Sequence, residues 1–299
     1  MSFNNSFKSI LLKSGFAASV LLLSAGAATA QVALTAKATS TTLPDGQTVP
    51  MWGLFCTPST TATVSGGGTC ASVNPAAGAG TTSWAPPLIT VQAGGTLTVT
   101  LTNSLKVPTS LVIVGQLGAG LGASPTRAPS PVHTTQDTTW PIAAAGPTYT
   151  PPTQSDRVQS FATEVAAGAT TTAGALTWTG LKAGTYLLES GTHPSIQGPM
   201  GLYGIVVVTD TTASPATAYP AAGTLAAVKY DSDVPLLLSE IDPVQNSAVA
   251  TAVGKPGFSE TTVWSGQPGG CADPASATYL ACYPPAVNYD PRYYLINGV

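Results

Sequence analysis

Residues 184–208 read GTYLLESGTHPSIQGPMGLYGIVVV. The turn Lys182-Ala183-Gly184 leads into a strand whose apolar side chains include Tyr186 and Leu188, with Glu189 in an exposed strand position. Gly191 breaks the strand, and the loop beyond it carries His193, one of 2 histidines in the chain. Past Pro194, Gln197 and Met200, the run Leu202 to Val208 forms a second strand, with Met200 packed under the Gly201 turn. Strand, polar loop and returning strand put the loop at one end of a sheet, where a β-sandwich can present a metal site. His193 is the candidate ligand. Its plainer role is to hold the turn before Pro194 through a hydrogen bond to backbone.

Toward the amino terminus, Leu176-Thr177-Trp178 leads into this stretch through Gly180, and Arg157 to Ala166 alternates through Val158, Phe161 and Val165. Residues 118–159 are rich in Pro, Ser and Thr, lack periodicity and read as a long insertion. The other histidine, His133, lies in it as a solvated loop side chain. The clearest alternation follows Ala93-Gly94-Gly95: Leu97, Val99 and Leu101 face one way, Thr96, Thr98, Thr100 and Thr102 the other. That is a half-buried antiparallel strand, and Pro86 to Val91 is its expected hairpin partner. Val32 to Thr41 reads as the first strand, closed by the turn Pro44-Asp45-Gly46.

Residues 1–30 read as an export leader: Lys8 and Lys13, an apolar core from Gly15 to Ala27, and a small-residue cleavage site at Ala28-Thr29-Ala30. Its uncharged part, about 17 residues, is at the short limit for spanning hydrocarbon, and no later stretch is apolar enough to span a membrane. The expected compartment is periplasmic or extracellular. Charged residues make up 8% of the chain and the formal net charge is −3. That balance offers no basic footprint for nucleic acid and no polybasic patch for a membrane. Gly, Pro, Ala and Thr dominate, with Thr, Val and Tyr between turn residues, so the fold class is all-β. The 4 cysteines fall into local pairs, Cys56 with Cys70 and Cys271 with Cys282. In an oxidising compartment both pairs are expected as disulfides. Residues 210–222 have a linker's composition.

The 184–208 stretch resembles the end of the first cupredoxin domain of multicopper oxidases. In that family a G-T-Y-x-Y-H-x-H segment supplies copper ligands, and a Gln and a G-L-x-G precede the last strand. Gly184-Thr185-Tyr186, Gln197 and Gly201-Leu202-Tyr203-Gly204 match, while the histidine pair reads Glu189-Ser190-Gly191. With a two-residue insertion, His193 takes the place of the second histidine. Pro87, Ile89, Val91, Gly94, Leu97, Val99 and Asn103 are similar to the family's P-x-I-x-V-x-x-G-D-x-v-x-v-x-x-x-N. Thr109 to Gln116 resembles its T-S-x-H-x-H-G, with Val112 and Val114 at the histidine positions. Valine has no lone pair for a metal. Val228 to Asp242 is similar to the first strand of a second cupredoxin domain, and Asn288 to Gly298 to the P-x-x-x-L-I-N-G segment early in it.

The resemblance implies a cupredoxin-like Greek-key β-sandwich over residues 31–209, followed by an incomplete second β domain over residues 223–299. Further sequence or another chain would complete that second sheet. It also implies copper, and oxidation of a substrate with dioxygen, if a C-terminal domain supplies the family's H-C-H-x3-H-x3-M. No such motif occurs in this sequence. Counting donors, the chain alone is expected to bind copper weakly or not at all, with His193 the one histidine on a matching loop. Two functions stay open: part of a copper oxidase, or a copper-free cupredoxin-like module with a structural or binding role.

Overall fold

The computed structural model describes residues 29–57, 62–64, 68–74, 83–129, 136–137, 148–149, 155–210, 216–219, 221–253, 255–256, 275 and 289–299. Most of the leader, His133, Cys271 and Cys282 lie outside them. The first half of the chain forms β1 (Thr29–Thr42), β2 (Thr48–Cys56), β3 (Ala62–Val64), β4 (Gly68–Ser72), β5 (Pro87–Gln92), β6 (Thr96–Asn103), β7 (Val112–Ile113), β8 (Thr126–Ala128), β9 (Gln136–Asp137) and β10 (Thr148–Tyr149). Then come β11 (Arg157–Ser160), β12 (Leu176–Thr179), β13 (Gly184–Glu189), the one-turn helix α1 (Pro194–Gln197) and β14 (Tyr203–Thr209). Last are β15 (Ala216–Tyr219), β16 (Val228–Tyr230), β17 (Leu238–Ile241), helix α2 (Pro243–Val253) and β18 (Tyr293–Ile296).

The main strands make two sheets, in the orders β12-β6-β1-β2 and β3-β4-β5-β14-β13-β7. The chain passes back and forth between them, as in the Greek-key sandwich that the resemblance implies. Alternation decides which side chains face inward. Val32, Leu34 and Ala36 of β1 and Leu97, Val99 and Leu101 of β6 line one side of the core. Ile89 and Val91 of β5, Leu188 of β13 and Val206 and Val208 of β14 line the other. Trp178, the largest of the fully buried side chains, comes from β12.

One expectation about pairing is corrected. β5 and β6 are not a hairpin: β5 pairs with β4 and β14, and β6 with β1 and β12. The turn between them steps across the sandwich, with Gly94 at φ 73°. Ala93 N–H donates to Thr209 O and Gly94 N–H to Leu181 O, which ties the turn to the following strands. Two alternating strands around a glycine turn have the same sequence pattern whether they lie side by side or face to face. A second correction concerns residues 157–166. Val165 is buried, but Val158 and Phe161 are 37% and 49% exposed and Ser160 is fully buried in their place. Within residues 118–159, β8 and β11 pair with each other, as do β9 and β10.

The carboxy-terminal segment packs on the outer face of the six-stranded sheet. β17 and β18 pair with each other, and Leu237, Ile241 and Leu295 join Tyr203 and Ile205 of β14 in a second apolar cluster. α2 starts where Asp242 accepts hydrogen bonds from the N–H groups of Val244 and Gln245, an N-cap followed by proline at the first helical position. From α2, Val249 and Ala252 reach the main core, and Asn246 Nδ2 donates to Pro50 O at 3.0 Å.

Cys56 and Cys70 form the expected disulfide, their Cα atoms 5.8 Å apart across a sequence separation of 14. Closing a loop of that length stabilises the fold by roughly 3 kcal/mol on the chain-entropy model. Replacing both cysteines by serine is therefore expected to lower the denaturation free energy by about that amount, measured by urea titration. A difference within error of zero would contradict it.

Candidate functional site

The strand register brings together positions at which the resemblance to multicopper oxidases implies histidine. Val112 of β7 lies opposite Glu189 of β13, and Ile113 opposite Leu188. Beyond them, Val114 N–H donates to Leu187 O. Val112 is buried and Val114 is 47% exposed, pointing away from the interior. At Gly191 a Cβ would stand 2.9 Å from Val112 Cγ1 and 3.2 Å from Ser110 Oγ, leaving no room for an imidazole. Glu189 is half-buried, and burial pushes its carboxyl above the ordinary glutamate range.

Hydroxyls and one amide fill the space beside these positions. Thr109, Ser110, Ser160, Ser190, Thr192 and Gln197 are all buried. Thr109 Oγ1 and Ser190 Oγ both donate to Gln197 Oε1, at 2.8 and 2.6 Å. Gln197 Nε2 donates to Pro108 O at 2.8 Å. In an adjoining group, Thr192 Oγ1 lies 3.0 Å from Ser110 Oγ and Ser160 Oγ, and 3.2 Å from Glu164 Oε1. Gln159 Nε2 donates to both Glu164 oxygens at 3.0 Å. Buried polar groups need such partners, and here they find them in one another. The network is uncharged apart from Glu164, which is half-buried at its edge.

His193 borders this network through Gln159 and α1. It is the residue before α1, in the left-handed conformation at φ 39°, ψ 59°. Its backbone N–H donates to Gln159 O, and its carbonyl accepts from Ile196 and Gln197. The backbone of His193 thus holds the turn and sets Gln197 into the network. Burial lowers the imidazole pKa, and the charge of Glu164 works against that. Among the described residues, no three His, Cys, Asp or Glu side chains come close enough together to hold a metal. Copper electron-transfer sites draw on histidine and thiolate donors, and the residues at these positions do not fit copper.

The G-L-Y-G segment has a physical basis. Gly201 has φ 107°, and a Cβ there would meet Trp84 Nε1 at 2.5 Å and Trp52 O at 2.6 Å. Trp84 Nε1 donates to Gly201 O at 3.1 Å, and its ring meets that of Tyr203 edge-on at 5.5 Å. At Gly204 a Cβ would stand 2.6 Å from Pro87 O, where β14 runs against β5. The sequence marks Gln197 and these glycines through the resemblance alone. Ser110, Ser160 and Thr192 carry no signal of their own, because serine and threonine are common throughout this chain.

No family model and no curated protein matches the chain. Among solved structures it is similar to the multicopper oxidase of Pseudomonas thermotolerans, at 16% identity and a TM-score of 0.39, over 65% of this chain and 32% of that one. It is similar to Fet3p, a multicopper oxidase that functions in iron import, at 15% identity and a TM-score of 0.44, over 91% and 33%. For the copper nitrite reductase of Nitrosomonas europaea the values are 16% and 0.38, over 75% and 53%. The chain spans about a third of the length of these two oxidases. Likeness this loose decides nothing about chemistry.

Proposed function

We propose that this chain is an exported, copper-free cupredoxin-like module whose role is binding rather than oxidation. The observation that carries the reading is the filling of the four ligand positions. Val112, Val114, Glu189 and Gly191 stand there, with His193 in the place of Gly191 if the loop carries an insertion, backed by hydroxyl and amide groups already hydrogen-bonded to one another. A copper ion would have to break that network and would gain at most the single imidazole of His193 in return. Oxidation with dioxygen would need its copper donors from further sequence or from another chain, and this chain's residues would neither hold nor orient the metal. The Cys56–Cys70 disulfide supports an oxidising compartment, periplasmic or extracellular.

Purified protein incubated with copper and desalted is expected to retain well under one copper per chain and to show no blue absorption. Stoichiometric copper that is lost in a His193→Ala variant would overturn the reading and restore His193 as a metal ligand.

A further inference from the structure

A cleft of about 320 Å³ lies on the outer face of the six-stranded sheet, beside α1. Its floor follows from the β13–β14 register. Glu189 and Tyr203 are cross-strand partners, and Leu187 lies on the same face of β13 as Glu189. One wall is Pro194 with Pro199 after α1, and the other is β17, which brings Ser239 and Glu240. Tyr289 also lines it.

We propose that this cavity binds a primary ammonium carried on a short apolar stem. This rests on the reading of the chain as a binding module. Among the described residues, the polar side chains lining the cavity are two carboxylates and three hydroxyls, with no cationic side chain. An anion would meet two like charges and nothing to pair with. An ammonium has three donors and no acceptor, and so suits carboxylate and hydroxyl oxygens. The leucine and proline walls suit the stem.

A second observation is consistent with room for a further hydrogen-bond donor. Tyr203 is 8% exposed, and its hydroxyl and that of Ser239 face each other without making a well-formed hydrogen bond to any described residue. A buried hydroxyl left unsatisfied costs about 1–3 kcal/mol, and both of these line the cavity. Burial pushes the Tyr203 hydroxyl up to about 12, with the Ser239 hydroxyl opposing and the Glu240 charge adding to the rise. Tyr203 therefore stays protonated and keeps its oxygen lone pairs for a donor. Burial also pushes the Tyr289 hydroxyl upward, as do the charges of Glu240 and Asp242 and its hydrogen bond to Glu240, a bond that an ammonium would share or replace.

The test is calorimetric titration of the whole chain with n-butylammonium chloride at low salt. One site per chain is expected, weakened by added salt. The uncharged analogue n-butanol should bind at least roughly tenfold more weakly, and Glu240→Gln and Glu189→Gln should each weaken n-butylammonium by about fivefold to tenfold. Tyr203→Phe keeps the ring and should give a smaller loss. A lysine tripeptide with blocked termini, titrated in parallel, identifies the source. Tighter binding than n-butylammonium assigns a basic peptide, and weaker binding a free amine. Absence of binding, equal affinity for n-butanol, or unchanged affinity in both glutamine variants would overturn the proposal. None of those results touches the copper-free reading, which the copper-loading experiment tests separately.

Discussion

Gly201→Ala is expected to be among the most damaging single-methyl additions at the described glycines of this protein. At φ 107° an L-residue is strained, and the new Cβ would press on the Trp52 carbonyl, the Trp84 indole nitrogen and Met51 Cε, all under 3.0 Å. The carbonyl cannot yield easily, because β2 pairs with β1 through its whole length. Trp52 N–H also donates to Met200 O immediately before the glycine. Backbone strain and overpacking together should remove roughly 3–5 kcal/mol, a large fraction of the stability of an ordinary domain. Gly94→Ala is the control. It also has positive φ, at 73°, but open space around the Cβ position, so it should lose only about 1 kcal/mol. Urea denaturation of the two variants separates strain from collision, and equal losses would contradict this account of the G-L-Y-G segment.

Gln197→Leu should be nearly as costly for a different reason. The replacement is close in volume but withdraws the acceptor shared by Thr109 and Ser190 and the donor to Pro108 O. Leaving buried polar groups unpaired costs about 1–3 kcal/mol each. Thr109 Oγ1 and Ser190 Oγ lie 3.2 Å apart and can turn to each other, which limits the damage. The expected loss is about 2–4 kcal/mol. The triple variant Thr109→Val, Ser190→Ala, Gln197→Leu should be more stable than Gln197→Leu alone, because removing both ends of a buried hydrogen bond costs less than removing one. A triple variant less stable than the single one would mean that the network contributes through packing rather than pairing.

Much of the sandwich is written in local sequence. Leu97, Val99 and Leu101 alternate with threonines, and an alternating strand has one face it must bury. Gly46 in its turn, and the cysteine pair 56 and 70, are also local signals, since turn geometry and a short loop closure involve few residues. The absence of copper donors at 112 and 114 is likewise legible, because a valine side chain has no lone pair in any fold.

Tertiary structure alone decided the rest. Whether β5 and β6 pair or face each other depends on which distant strands lie beside them, here β14 and β1. The exposure of Val158 and Phe161 follows from burying Ser160 against Thr192 and Ser110, a preference set by partners 32 and 50 residues away. The hydroxyl network draws on residues from 108 to 197, and the cavity on Glu189, Tyr203 and Glu240. None of these groups is distinctive by itself. A serine, tyrosine or glutamate acquires a role from what stands opposite it, and that is fixed by strand register and sheet packing rather than by the residues next to it in the chain.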